Sequence, residues 1–93
     1  MEANIARTGQ AGTLESMDCL VIIMASDSGR VIEVTGSAAS RFRAPMERRI
    51  NEALDSLGAS EPLRVNVQDN GALDIVLGAR VEAAYNRYRR CVK

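Results

Sequence analysis

Residues 12–18 read GTLESMD and set a serine, Ser16, among carboxylates at Glu15 and Asp18. A serine hydroxyl in a polar turn has two chemical uses. As a nucleophile it needs a base to take its proton. As an anchor for a covalently attached group it needs only exposure and flanks that a modifying enzyme can grip. The chain has no histidine, and its one lysine is Lys93 at the end, so Ser–His–Asp, Cys–His and Ser–Lys chemistry all lack their base. Two carboxylate sets remain, Glu15 with Asp18 and Asp69 with Asp74. Both read as turn or cap residues rather than an acid–base pair. No G-x-x-x-x-G-K or G-x-G-x-x-G phosphate loop is present. Cys19 and Cys91 stand far apart without a CxxC pair, and no metal set is expected. The residue types therefore favour the anchor over the nucleophile.

A second serine competes. Asp55-Ser56-Leu57 is a DSL triplet, the attachment signal of phosphopantetheine carriers. In those carriers the triplet opens a helix in an acidic four-helix bundle. Here it ends a helical pattern in a chain of zero formal net charge, so Ser56 reads as a solvent-facing residue in a last helical turn.

The elements that must position these groups follow from periodicity. CLVIIMA, residues 19–25, is a continuous β-branched apolar run and reads as a buried strand. SDSG, residues 26–29, signals a turn, and RVIEVTG then alternates. Together they predict a hairpin of strands 18–26 and 30–36. QAGTLES predicts a short strand over 11–16, ending in the serine turn. Phe42, Met46, Ile50, Leu54 and Leu57 form one helical stripe. Pro45 suits a first turn, so the main helix is expected over 45–58, with a preceding helical turn at 37–43 and Gly58 as its C′ residue. PLRVNVQ alternates and predicts a half-wet strand over 63–69. DNG turns the chain, with Asp69 or Asn70 capping a last helix over 71–90 on a stripe of Leu73, Leu77, Val81, Ala84 and Tyr88. Gly78 inside that helix implies a close approach, because glycine costs about 1 kcal/mol there relative to alanine. The expected fold is α+β: a small, mostly antiparallel sheet with two helices on one face.

The chain has 93 residues, 46% hydrophobic and 26% charged, the mixture of one folded domain over 1–93. The ends, 1–8 and 91–93, are expected to fray. Charge is segregated: Arg7 and Arg30 face five carboxylates within residues 1–36, whereas residues 80–93 hold five cations and only Glu82. Basic residues such as RYRR at 87–90 complement a helix C-terminus and do not indicate nucleic acid. No apolar run approaches the ~20 residues of a membrane span, and the opening residues lack a secretory pattern. A reducing cytoplasm, with Cys19 buried and Cys91 a free terminal thiol, is the expected setting.

The longer motifs carry a resemblance. AGTLESMD, then an apolar strand, a polar turn, an alternating strand, an amphipathic helix and VNVQDNGALDIVLGARVEAA, resembles the acyl carrier (gamma) subunit of citrate lyase from about Ala11 to Arg87. The sharpest pieces are GTLES and DNGALDIVLGARVEA. The resemblance implies that Ser16 bears 2'-(5''-phosphoribosyl)-3'-dephospho-CoA through a phosphodiester, with Gly12, Glu15 and Asp18 supporting the turn. Gly12 is expected to let the backbone bend or a partner approach, and Glu15 and Asp18 to keep the turn hydrated and meet basic groups of the prosthetic-group transferase. It implies a non-catalytic carrier, whose arm moves acetyl and citryl thioesters between transferase (alpha) and lyase (beta) subunits. The basic last helix is expected to dock on a partner or to lie near the arm's phosphates. In members of that family a small residue often follows the serine, where this chain has Met17. The carriers of citramalate lyase and malonate decarboxylase, a cofactor-free interaction domain, and a Ser56 phosphopantetheine carrier stand as alternatives.

Overall fold

The computed structural model describes residues 7–90. The elements run β1 (Thr8–Gly12), β2 (Asp18–Ala25), β3 (Val31–Gly36), α1 (Ala39–Ser56), β4 (Leu63–Asn70) and α2 (Asp74–Arg90). The four strands form one sheet in the order β1-β2-β4-β3. β1 and β4 pair antiparallel with β2, and β3 runs parallel to β4, so the sheet is mostly antiparallel, as expected. No helix among the described residues is long and apolar enough to cross a membrane. The expectation of frayed ends falls on residues 1–6 and 91–93, outside the described residues, whereas Thr8 already opens β1.

Two expectations about the sheet change. The anticipated hairpin of β2 with β3 does not form, because β4 lies between them. A parallel β3–β4 pair needs a crossover, and α1 is that crossover. The turn after β2 is held away from a hairpin by Arg30. Its guanidinium donates to Asn51 Oδ1 at 3.0 Å, Asp55 Oδ1 at 2.9 Å and the Ala59 carbonyl at 2.7 Å, all at the end of α1. The second change is β1, which spans 8–12 rather than 11–16. Residues 13–17 leave the ladder and form the serine loop.

The core follows from alternation. Cys19, Val21 and Ile23 of β2 and Leu63, Val65 and Val67 of β4 point to the helix-covered face and are fully buried. They meet Ile50 and Leu54 of α1 and Leu77, Val81 and Ala84 of α2. Each fully buried Leu, Ile or Val contributes about 1.5–3 kcal/mol. The other face of β2 is half-exposed, so its apolar run is not buried on both sides.

α1 extends further back than the expected 45–58, to Ala39, with non-helical torsions at Phe42 (φ −124°, ψ 24°). Pro45 has no N–H to return to the carbonyl four residues earlier, and its ring crowds that turn, so the chain kinks there. The kink takes Phe42 off the predicted stripe and leaves it 48% exposed. Gly58 (φ +75°) ends the helix as expected: its N–H returns to the Asp55 carbonyl at 3.1 Å and that of Ala59 to Leu54 at 3.0 Å. α2 begins at Asp74, which leaves Leu73 outside the helix and 56% exposed. Tyr85, not on the predicted stripe, is buried and donates to Glu61. The close approach inferred at Gly78 is real: the Arg49 guanidinium occupies the place of its missing side chain while its Nε pairs with Asp74 at 3.1 Å. Gly9 is closer still, lying on the backbone of Ala84 and Tyr88, so β1 and α2 touch through main chain.

Candidate functional site

The serine loop, residues 13–17, joins β1 to β2 at one end of the sheet. Gly12 begins it with φ +102°, and a side chain there would run into the Cys19 carbonyl. That carbonyl accepts the Thr13 N–H at 3.2 Å. A turn then closes from the Glu15 carbonyl to the Asp18 N–H at 3.2 Å. Its third residue, Met17, has φ +66°, the one non-glycine in the left-handed region among the described residues. A turn with positive φ at this position favours glycine, and a bulky residue there carries strain of order 1–3 kcal/mol. The strain persists because the Met17 N–H donates to the Asn70 carbonyl at 2.7 Å. The side-chain amide of Asn70 donates to the Leu14 carbonyl at 3.0 Å. One residue at the end of β4 therefore grips the loop twice.

Asp18 is the other brace. Its Oδ2 accepts the Thr13 hydroxyl at 2.7 Å, and its Oδ1 accepts the Cys19 N–H at 2.7 Å. Arg80, from α2, completes the set with Nε to Oδ1 at 3.0 Å and Nη2 to Oδ2 at 2.8 Å. The bidentate Arg80 contact, then the Thr13 hydroxyl and the Cys19 amide, hold the Asp18 carboxyl well below the usual carboxylate range. Arg80 gains in turn from the Asp18 hydrogen bond, which raises its affinity for the proton. Asp18 was expected to hydrate the turn; its side chain is only 14% exposed and is spent on internal partners. Burial and the neighbouring Asp18 charge push the Cys19 thiol up to about 11, so this sulfur is no nucleophile near neutral pH.

Ser16 stands on the crown of this braced turn, exposed along with Glu15. No group among the described residues takes its hydroxyl. Leu14 and Met17 beside it are 57% and 61% exposed, unusual for large apolar side chains on either side of a serine. Under the loop, Gly71 forms an isolated bridge with Asp18, and a side chain at Gly71 would reach ordinary contact with the Met17 main chain, 3.8 Å from its Cα. Asp69 fixes this stretch: its Oδ2 accepts the Gly71 N–H and its Oδ1 the Ala72 N–H, both at 3.0 Å. The expected capping role of Asp69 is thus played ahead of α2 rather than inside it. Beyond Ala72, an open groove of about 220 Å³ separates the N-terminal ends of α1 and α2.

The four sequence-derived residues, Gly12, Glu15, Ser16 and Asp18, all come together in this loop. Asn70 and Arg80 were missed as parts of it. Asp18 and Arg80 are 62 residues apart, and no local pattern links them. The tail arginines stand elsewhere. Arg87 donates to the Gln10 carbonyl at 2.7 Å and Arg89 lies over the Tyr85 ring. α2 has 17 residues, about 25 Å in length, and these arginines occupy the end away from the serine loop. Ser56 ends α1 as expected, with its hydroxyl donating to the Ala53 carbonyl at 2.9 Å. The sheet also rules out a four-helix carrier.

A family model described as Malonate decarboxylase delta subunit (MdcD), an acyl carrier family, matches residues 6–88. The citrate lyase acyl carrier protein of Haemophilus influenzae (strain PittGG) is 43% identical over 83 residues, covering 89% of this chain and 85% of that relative. The citrate lyase acyl carrier protein of Rhodopseudomonas palustris (strain BisA53) is 39% identical over 83 residues, covering 89% and 84%. A crystal structure of a Pseudomonas malonate decarboxylase hetero-tetramer in complex with malonate contains a chain of the same fold, with a TM-score of 0.67 at 21% identity, covering 87% of this chain and 82% of that one.

Proposed function

The chain belongs to this acyl carrier family, and we propose that it is the carrier subunit of a citrate lyase whose prosthetic group is attached to Ser16. The observation that carries the reading is an unengaged hydroxyl on a turn braced from three elements. The donor chemistry fits: a phosphodiester to a protein needs one exposed hydroxyl, and Ser16 supplies it. The arm, 2'-(5''-phosphoribosyl)-3'-dephospho-CoA, supplies a thiol that holds the acyl group as a thioester.

The chain's own residues provide the anchor and its rigidity. Asp18, locked by Arg80 and Thr13, fixes the start of β2. Asn70 fixes the loop from the other side. Glu15 alone of the two flanking carboxylates stays free for basic groups on the transferase. The carrier contributes no acid or base to bond cleavage. Its contribution is effective concentration, since a tethered group meets the alpha and beta subunits without dissociating. A cytoplasmic setting accompanies this reading. The specific observation favouring a second reading, the carrier of a malonate decarboxylase, is the family description that matches residues 6–88. The far higher identity to citrate lyase carriers favours the first.

The test is a tryptic mass map of the chain co-expressed with its loading enzymes. Added mass with adenine absorbance is expected on the peptide Thr8–Arg30, which contains Ser16, and is abolished by Ser16→Ala. Mass on Ile50–Arg64 instead, or on neither peptide when the transferase loads a known carrier, refutes the reading. Co-purification with citrate lyase alpha and beta subunits, rather than malonate decarboxylase subunits, separates the two carriers.

A further inference from the structure

The groove beside the serine loop has a composition that neither the core nor the turn requires. It starts beside the loop: Gly71 bridges to Asp18, and the next residue, Ala72, lines the groove. Ala38, Phe42 and Met46 of the α1 side and Leu77 of α2 make apolar walls. Phe42 is the one phenylalanine in the chain. The kink takes it out of the core and gives it to this groove, 48% exposed. The Arg41 guanidinium lies 5.5 Å from the centre of its ring and pairs with no carboxylate among the described residues. Arg43 has only a 4.0 Å contact with Glu47. Two cations in the opening turns of a helix oppose its dipole, and no acidic residue there compensates them. Two carboxylates also line the groove: Asp69 is buried and holds the Gly71 and Ala72 amides, whereas Asp74 is largely exposed and keeps an acceptor beyond its pair with Arg49.

A flat aromatic wall, an apolar lining, an exposed carboxylate acceptor and a cation over the aromatic ring suit a purine with phosphates beside it. At about 220 Å³ the groove takes one ring system and not a whole coenzyme, since sites for larger ligands run to roughly 300–1,000 Å³. We propose that it seats the adenine of the arm attached to Ser16, with the ring against Phe42, the exocyclic amine donating to Asp74, and the phosphates toward Arg41 and Arg43. This rests on the assignment of Ser16 above. In that arm a single phosphoribosyl unit separates the attachment point from the adenosine, whereas the thiol lies beyond the diphosphate. Seating the adenine shortens the moving part of the arm and leaves the thiol end free.

The experiment is heteronuclear NMR on the full chain carrying the arm, compared with the unloaded chain. The expected result is nuclear Overhauser contact between the adenine C2 and C8 protons and the Phe42 ring and Met46 methyl, with amide shifts at Ala38, Phe42 and Ala72. Phe42→Ala removes those contacts, and Phe42→Tyr keeps them, while the added mass stays on the Ser16 peptide in both. Shifts confined to residues 12–18, or contacts to the groove from the pantetheine methyls instead of the adenine, overturn the proposal and leave Ser16 as the attachment site. A Ser16 peptide without added mass overturns that assignment and this one together.

Discussion

Asp69 is the one buried carboxylate among the described residues, 5% exposed, and its two bonds hold the stretch that supports the serine loop. Replacing it with alanine removes the acceptors of the Gly71 and Ala72 amides, each at 3.0 Å. A hydrogen bond to a charged acceptor contributes about 1.5–3 kcal/mol. Gly71 is exposed, so its N–H finds water once the carboxylate is gone, whereas Ala72 is half-buried and its N–H stays unmatched. The cost of Asp69→Ala therefore falls below the sum of two full bonds, at about 2–3 kcal/mol. For a domain of this size that lowers Tm by roughly 10–20 °C. Asp69→Asn keeps one acceptor and should lose about half as much. Urea denaturation followed by circular dichroism measures the difference, and amide exchange localises it to residues 71–73. A loss under about 0.5 kcal/mol for alanine, or exchange unchanged at Ala72, would refute the claim that this carboxylate organises the loop.

Gly9→Ala should destabilise the chain by several kcal/mol, because the new methyl meets the main chain of Ala84 and Tyr88, which cannot swing aside; a chemical denaturation midpoint within error of the parent would contradict this. Gly78→Ala should be close to neutral: helix propensity gains about 1 kcal/mol, and the displaced group is the flexible end of Arg49, whose pair with a largely exposed Asp74 contributes little. The Asp18 carboxyl should not titrate near pH ~3.9, where ordinary aspartates do, and a normal midpoint by carbon NMR would show that the Arg80 clamp is absent in solution. Its folded-state affinity for the proton is lowered, so its stabilising contribution is present above the ordinary value and is lost as pH falls through the depressed one; Arg80→Met should move that loss to higher pH.

The serine loop was legible in the sequence as a turn because its residues are contiguous. GTLESMD carries its own turn chemistry, and all four residues drawn from it meet in space. The braces were not legible. Asn70 acts through its own carbonyl and amide, and the carbonyl leaves no mark in residue type. Arg80 reads as one more cation on a basic helix until the fold brings it to Asp18. Element types followed from periodicity: PLRVNVQ alternates and is β4, and Ile50 and Leu54 lie where the stripe placed them. Strand order did not, because alternation records which face a residue occupies and not which strand lies beside it. The turn at 26–30 looks like a hairpin turn, and only the Arg30 contacts to α1 reveal that it steps over β4. Phe42 was misassigned for a local reason, since a stripe drawn through Pro45 assumes a helix that proline interrupts.

The braces of the serine loop also set an order of events during synthesis. Ser16 and its turn residues are made early, yet Asn70 and Arg80, which hold them, come late in the chain. β1 gains its second wall only when residues 84–88 arrive against Gly9. A nascent chain therefore displays the serine long before it displays the turn, because contacts of such long sequence separation close last. An enzyme that recognises the braced shape acts on the finished protein and passes over the growing one.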